Sequence, residues 1–169
     1  RLLSIHRDDS DLAKANQGMP VSAELKPVLK KALAIARETE GAFDPTIRPL
    51  AELWGFIKKE GYRLPTETEL QIVLPKVDYR QIKLQGNMLI RDAPGISIDS
   101  GGFGKGYAVD QAIAVLQRHG IRHAMVKAGG DTRVIGLPPG LNHWAVWIED
   151  PRKQGRRALI KLRHGALST

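Results

Sequence analysis

Apolar residues at Leu25, Val28, Leu29, Ala32, Leu33, Ile35 and Ala36 fall three and four positions apart, the spacing of one face of an amphipathic helix. Ser22 precedes this run as a Ser-x-x-apolar cap without a Glu at its third position, and Glu40-Gly41 ends it. Pro27 lies in the early turns, where a missing N–H is tolerated. Residues 1–20, with Asp8, Asp9, Ser10, Asp11 and Asn16, are polar and predict a short helix or loop. After the turn at 41–46, Leu50, Leu53 and Trp54 mark a second short helix, and 57–65 reads as a basic loop. Thr66-Glu67-Thr68-Glu69 caps a third helix that runs through Leu74 and is closed by Pro75.

The pattern then shortens to strand length. Residues 81–84 and 87–90 predict a hairpin around Gln85-Gly86, and Ile96-Ser97-Ile98 predicts a further strand. That strand enters a glycine-rich turn and a helix from Gly104 to Arg118, with Ala108, Ala112, Val115 and Leu116 as its buried stripe and Gly120 as its stop. Strands are expected at 123–127, 132–135, 144–148 and 158–162. Helices first, then strands around one long helix, predict an α+β fold, a mostly antiparallel sheet packed with helices, rather than a doubly wound one. Without a repeat, linker or low-complexity tract, residues 1–169 are expected to form one domain.

Composition narrows the chemistry. The 169 residues contain no cysteine, which excludes disulfides, thiolate metal sites and a Cys nucleophile. No apolar run approaches the roughly 18 residues of a membrane span, and neither end reads as a signal peptide. The net charge of +8 points to an anionic partner: nucleic acid, a phosphate-bearing cofactor or an acidic membrane surface. His6, His119, His123, His143 and His164 show no metal-ligand spacing, and no serine nucleophile elbow is present.

The strongest local feature is the run Asp99-Ser100-Gly101-Gly102-Phe103-Gly104-Lys105-Gly106, four glycines within six residues between a strand and a helix. Glycines let several backbone N–H groups turn toward one anion, and a helix N-terminus adds a favourable dipole. Lys105 supplies a mobile cation, and Asp99 stands where a carboxylate can accept from a ribose hydroxyl or approach a metal. The run is not a Walker A loop, since Asp99 takes the place of its first Gly and Gly106 that of its Ser/Thr. Its evenly spaced Gly102, Gly104 and Gly106 also miss the dinucleotide fingerprint. A tight packing turn is the alternative reading. Ala128-Gly129-Gly130-Asp131 reads as a hairpin with a bulge as readily as a ligand contact. In Gly41-Ala42-Phe43-Asp44-Pro45-Thr46, Asp44 and Pro45 can simply cap and start a helix, while Phe43 can stack on a planar ligand. Residues 152–163 carry Arg152, Lys153, Arg156, Arg157, Lys161 and Arg163 and no acid, a solvated strand edge or a nucleic-acid patch short of stacking aromatics.

Taken in order, Leu3-Ser4-Ile5-His6, Asp9-Ser10-Asp11-Leu12 with Asn16, 21–25, 41–46, Leu50 to Trp54-Gly55-Phe56, 77–82, 99–110, 128–131 and Trp144 to Asp150-Pro151 resemble the ApbE family of FAD:protein FMN transferases. The resemblance implies FAD binding and, with a divalent cation (usually Mg²⁺), transfer of FMN to a Thr or Ser hydroxyl of an acceptor flavoprotein, with release of AMP. It further implies that Ala42, Phe43 and Asp44 line the FAD site, that Asp99 and Lys105 contact FAD, and that the backbone at Gly102 faces the metal. His6 falls where relatives often carry a Tyr beside the flavin nucleotide. No catalytic residue is assigned, because the His proposed as the family's base lies beyond the matching motifs. The family's later metal-ligand segment and its lipoprotein start are also absent, so a partial domain, trimmed at both ends and weakly active or inactive alone, is expected. The resemblance also implies the periplasmic side of the bacterial inner membrane, with any membrane tether expected in an N-terminal part not present here. The alternatives are an FAD pyrophosphatase on the same site, a flavin-binding module without turnover, and a basic nucleic-acid-binding module. The resemblance makes nucleic acid an unexpected partner.

Overall fold

The computed structural model describes residues 1–5, 7–57, 61–153, 155 and 157–169. They form two compact units, Arg1–Gly102 and Phe103–Thr169. Among the described residues every strand pairing is antiparallel, and no helix is long and apolar enough to cross a membrane.

The first unit is built on helix α2. Helix α1 (Asp11–Asn16) is capped by the Ser10 hydroxyl, which accepts from Ala13 N. Helix α2 (Leu25–Glu38) buries Leu25, Val28, Leu29, Ala32, Leu33 and Ala36, the expected stripe with Ile35 left half-buried. Ser22 Oγ accepts from Leu25 N at 3.2 Å, so the cap without its Glu is formed. Helix α3 (Arg48–Leu53) follows, with Pro49 in its first turn. It is therefore Pro49, not Pro45, that opens this helix. The basic loop at 57–65 lies partly outside the described residues.

Helix α4 (Glu67–Val73) begins with a complete capping box. Thr66 Oγ1 accepts from Glu69 N, Glu69 Oε2 accepts from Thr66 N at 2.8 Å, and Arg63 adds an ion pair at 2.5 Å. The Arg63 hydrogen bond, helped by Thr66, holds the half-buried Glu69 carboxyl down at about 2, against an ordinary 4.5. Because the folded value is the lower one, this contribution to the cap is fully present above pH 4.5 and is lost as pH falls through 2. A carboxyl-carbon NMR titration should place the Glu69 midpoint near 2. A midpoint at the ordinary value would rule the cap out.

Short 3₁₀ turns at Leu74–Lys76 and Tyr79–Gln81 lead into the hairpin β1 (Ile82–Gln85) and β2 (Met88–Arg91). The register Gln85↔Met88 puts the turn at Gly86-Asn87, one residue later than expected. Gly86 has φ +61, a conformation glycine adopts without a Cβ penalty. Residues 96–98 form no strand. The Asn16 side chain takes the place of a neighbouring strand: Ile98 N donates to Asn16 Oδ1 at 2.9 Å, and Asn16 Nδ2 donates to Ile98 O at 2.8 Å. Ile96 and Ile98 are fully buried there beside Leu12, Leu25 and Leu29 in the unit's core.

In the second unit α5 (Gly104–Arg118) packs on β3 (Ala124–Ala128) and β4 (Asp131–Ile135). Its buried stripe is Val109 and Ile113, flanked by half-buried Ala112 and Leu116, whereas Ala108 and Val115 are exposed. The helix is thus turned by one position from the expected register. Strands β5 (Trp144–Glu149) and β6 (Arg157–Leu162) pair as a separate ribbon. Strand β7 (Gly165–Leu167), which the sequence pattern does not predict, adds to β4 in the order β3-β4-β7. The expected bulge at 128–131 is absent: Ala128 faces Asp131 across a two-residue turn. Gly129 has φ +61 and Gly130 is not left-handed, the pattern of a type II′ turn.

Candidate functional site

A cleft of about 360 Å³ opens in the first unit, lined by Gly41, Ala42, Phe43, Asp44, Pro45, Ile47, Val77, Asp99 and Gly102. Five of the residues singled out from sequence, Ala42, Phe43, Asp44, Asp99 and Gly102, therefore meet at one place. Lys105 lies on the first turn of α5 in the second unit. His6 lies outside the described residues.

The loop before α3 is shaped by Asp44. Its Oδ1 accepts from Thr46 N at 2.8 Å and from Thr46 Oγ1 at 2.6 Å, and its Oδ2 accepts from Tyr79 N at 2.9 Å. Both carboxylate oxygens are thus engaged in holding the loop, with Pro45 and Thr46 fully buried beneath it. Asp44 shapes the cleft wall rather than capping a helix. Glu40 and Gly41 precede it at φ +53 and +86, and this left-handed pair turns the chain back toward Tyr79.

Asp99 forms the opposite wall. It is 4% exposed. Its N–H donates to Pro45 O at 2.7 Å, and its Oδ1 accepts from Gly101 N at 2.6 Å. Ser100 Oγ anchors the next residue on Leu3 O at 2.6 Å. Among the described residues Asp99 Oδ2 is the buried side-chain oxygen with no hydrogen-bond partner. Leaving such an atom unpaired costs about 1–3 kcal/mol, more when charged, so a polar ligand group in the cleft has an acceptor waiting. A Cβ on Gly101 would come within 2.9 Å of Asp99 Oδ1, and one on Gly102 within 3.1 Å of the Phe43 ring. The two glycines allow the backbone to approach both groups.

No three His, Asp or Glu side chains converge among the described residues. Mg²⁺ requires near-octahedral oxygen coordination, and Asp99 Oδ2 with the Gly102 backbone falls short of that, so a closed protein-built Mg²⁺ site does not fit the residues present.

Two elements of this arrangement escape the sequence pattern. Asn16, recognised there only as part of a motif, clamps the segment that carries Asp99. Tyr79 fixes Asp44 through its backbone N–H, which leaves no trace in residue type.

An α+β chain with a buried carboxylate set before a glycine turn, on a cleft walled by an Ala-Phe-Asp loop, has the architecture of a ligand-binding protein whose cleft offers an aromatic ring and an unpaired acceptor. The ApbE family model matches residues 1–169, and the chain belongs to that family. It is similar to the FAD:protein FMN transferase of Vibrio cholerae, 34% identical over 155 residues, covering 88% of this chain and 46% of that protein. The Haemophilus influenzae FAD:protein FMN transferase is 31% identical, with 93% and 49% covered. Among solved structures, the ApbE protein from Thermotoga maritima superposes with a TM-score of 0.87 at 34% identity, covering 97% of this chain and 55% of that one. The flavin transferase ApbE from Vibrio cholerae gives 0.81 at 33% identity, with 94% and 53% covered. The chain spans about half the length of the curated relatives it matches.

Proposed function

We propose that this chain is the FAD-binding portion of a flavin transferase that moves FMN from FAD to a Thr or Ser hydroxyl of an acceptor flavoprotein. The observation that carries the reading is the unpaired Asp99 Oδ2 on the wall of the Ala42–Asp44 cleft. Family membership and the names of the relatives support it. In this reading Phe43 offers a ring face to the flavin or adenine, Asp99 accepts from a ligand hydroxyl or N–H, and Lys105 meets a phosphate. His6 stands beside the flavin nucleotide by resemblance alone.

The acceptor's hydroxyl oxygen bonds to the FMN phosphorus as the anhydride bond to the AMP phosphate breaks, AMP leaves with that bond's electron pair, and the hydroxyl proton passes to a base. No residue of this chain is assigned as that base. By resemblance, Mg²⁺ bound together with the FAD phosphates would neutralise charge on the pyrophosphate, and the backbone at Gly102 would face it. The resemblance also supports action on the periplasmic face of the bacterial inner membrane.

Titrating FAD and following flavin fluorescence with and without Mg²⁺ tests the reading, together with an assay for free FMN and for FMN-labelled acceptor. Saturable binding strengthened by Mg²⁺ is expected. Free FMN without labelled acceptor would make the activity a pyrophosphatase. No FAD binding by this chain, or by a longer chain containing it, would overturn the reading.

A further inference from the structure

Within the second unit, the side chain of Lys105 lies along the β3–β4 turn. A Cβ on Gly129 would stand 3.4 Å from Lys105 Nζ, 3.5 Å from Cδ and 4.0 Å from Cε, so the end of the lysine passes over this glycine at the distance where a first side-chain atom would just meet it. The turn is itself held from behind. Ser168 Oγ donates to Asp131 Oδ1 at 2.6 Å, and Thr169 N and Oγ1 each donate to Gly130 O at 3.3 Å. A Cβ on Gly130 would collide with the Thr169 carbonyl, so this approach requires glycine there. Asp131 Oδ2 faces the first turn of α5, 3.8 Å from the Cβ position of Gly106. Lys105 nonetheless has no carboxylate within ion-pair distance among the described residues. Its ammonium is supported by the turn without being neutralised by it.

We propose that the Ala128–Asp131 turn is a positioning device for Lys105: Gly129 is the seat over which the lysine is laid, and the Ser168–Asp131 and Thr169–Gly130 contacts fix the seat's height. The proposal rests on the FAD reading and adds residues to it. A long lysine loses about 2 kcal/mol of rotamer freedom when a ligand immobilises it. A seat that holds it extended beforehand removes part of that loss, which is the sense in which the turn contributes to affinity. Gly129 does this by having no side chain, and the type II′ turn allows it because φ +61 is native to glycine.

A double-mutant cycle on FAD affinity tests the proposal, using Gly129→Val, Lys105→Met and both together, with binding read by flavin fluorescence at two salt concentrations. Gly129→Val places a branched side chain where Lys105 lies and is expected to weaken binding about tenfold in the Lys105 background, by less than twofold in the Lys105→Met background, and to flatten the salt dependence as Lys105→Met does. Gly86→Val is the control, since Gly86 has the same φ of +61 in a hairpin turn but nothing within 4 Å of its Cβ position; it should change FAD affinity by less than twofold. Should Gly129→Val unfold the hairpin, Gly129→Ala puts a methyl 3.4 Å from Lys105 Nζ, at the near edge of ordinary contact, and a loss of about twofold that vanishes in Lys105→Met is expected. Additive effects in the cycle, or an unchanged affinity in both Gly129 variants, would overturn the positioning role while leaving FAD binding intact. Failure of the unmodified chain to bind FAD would overturn both.

Discussion

Asp99→Asn is expected to stabilise the free protein by about 1 kcal/mol while weakening FAD binding by about tenfold or more. The two effects have opposite signs because they come from different oxygens. Oδ1 is engaged by Gly101 N, and an asparagine keeps that acceptor. Oδ2 is buried without a partner. An unpaired carboxylate oxygen costs more to bury than an unpaired amide, so the neutral side chain relieves the free state. In the complex, a ligand hydroxyl or N–H that would donate to Oδ2 meets another N–H, and a hydrogen bond to a charged acceptor, worth about 1.5–3 kcal/mol, is lost. Stability held in reserve at a binding wall is the expected trade between folding and function. Urea unfolding and an FAD titration on the same preparations read the two quantities separately. A variant that loses stability and keeps its FAD affinity would make Asp99 a structural anchor of the Pro45 loop and nothing more.

The parts of the fold legible in sequence are those whose signal is local. Helix α2 shows its stripe because each buried residue lies three or four positions from the next, and α4 shows its start because the capping box is contained in four residues. Helix α5 was legible in extent but not in register. Its apolar positions span adjacent columns, and contact with β3 and β4 selects Val109 and Ile113 over Ala108 and Val115. Strand β7 is three residues long, too short to show alternation.

The site divides in the same way. The glycine turn announces itself by composition, and the resemblance picks out Ala42, Phe43, Asp44, Asp99 and Gly102, which the fold gathers around one cleft. What holds Asp99 and Ser100 was not legible: Pro45 O accepts from Asp99 N and Leu3 O from Ser100 Oγ, each more than fifty residues away, through backbone carbonyls that carry no sequence signature. Nor was the second task of Asp44 legible, since its Oδ2 is claimed by a backbone N–H thirty-five residues later.

Asn16→Leu should produce the largest loss of stability, about 2–4 kcal/mol, because it strips two buried backbone groups of their partners at once. Ile98 is fully buried, and its N–H and C=O are both satisfied by the one Asn16 amide. Leucine is close to asparagine in size, so the change deletes the hydrogen bonds with little cavity, and the deficit is that of the unpaired polar groups. Asn16 is also the last residue of α1, and its carbonyl accepts from the Arg91 guanidinium on β2, so the amide is presented by a backbone already tied to the hairpin. The segment that ends in Asp99 is thus referenced to α1 and β2 through one side chain, and loosening it should also blunt FAD affinity without any change at the cleft itself. Hydrogen exchange at the Ile98 amide gives the specific reading: protected in the unmodified chain, rapid in Asn16→Leu, and unaffected by Asn142→Leu, which alters an exposed loop amide. An Ile98 amide that stays protected in Asn16→Leu would mean that packing of Ile96 and Ile98 alone holds the segment, and that the Asn16 clamp contributes nothing to the site.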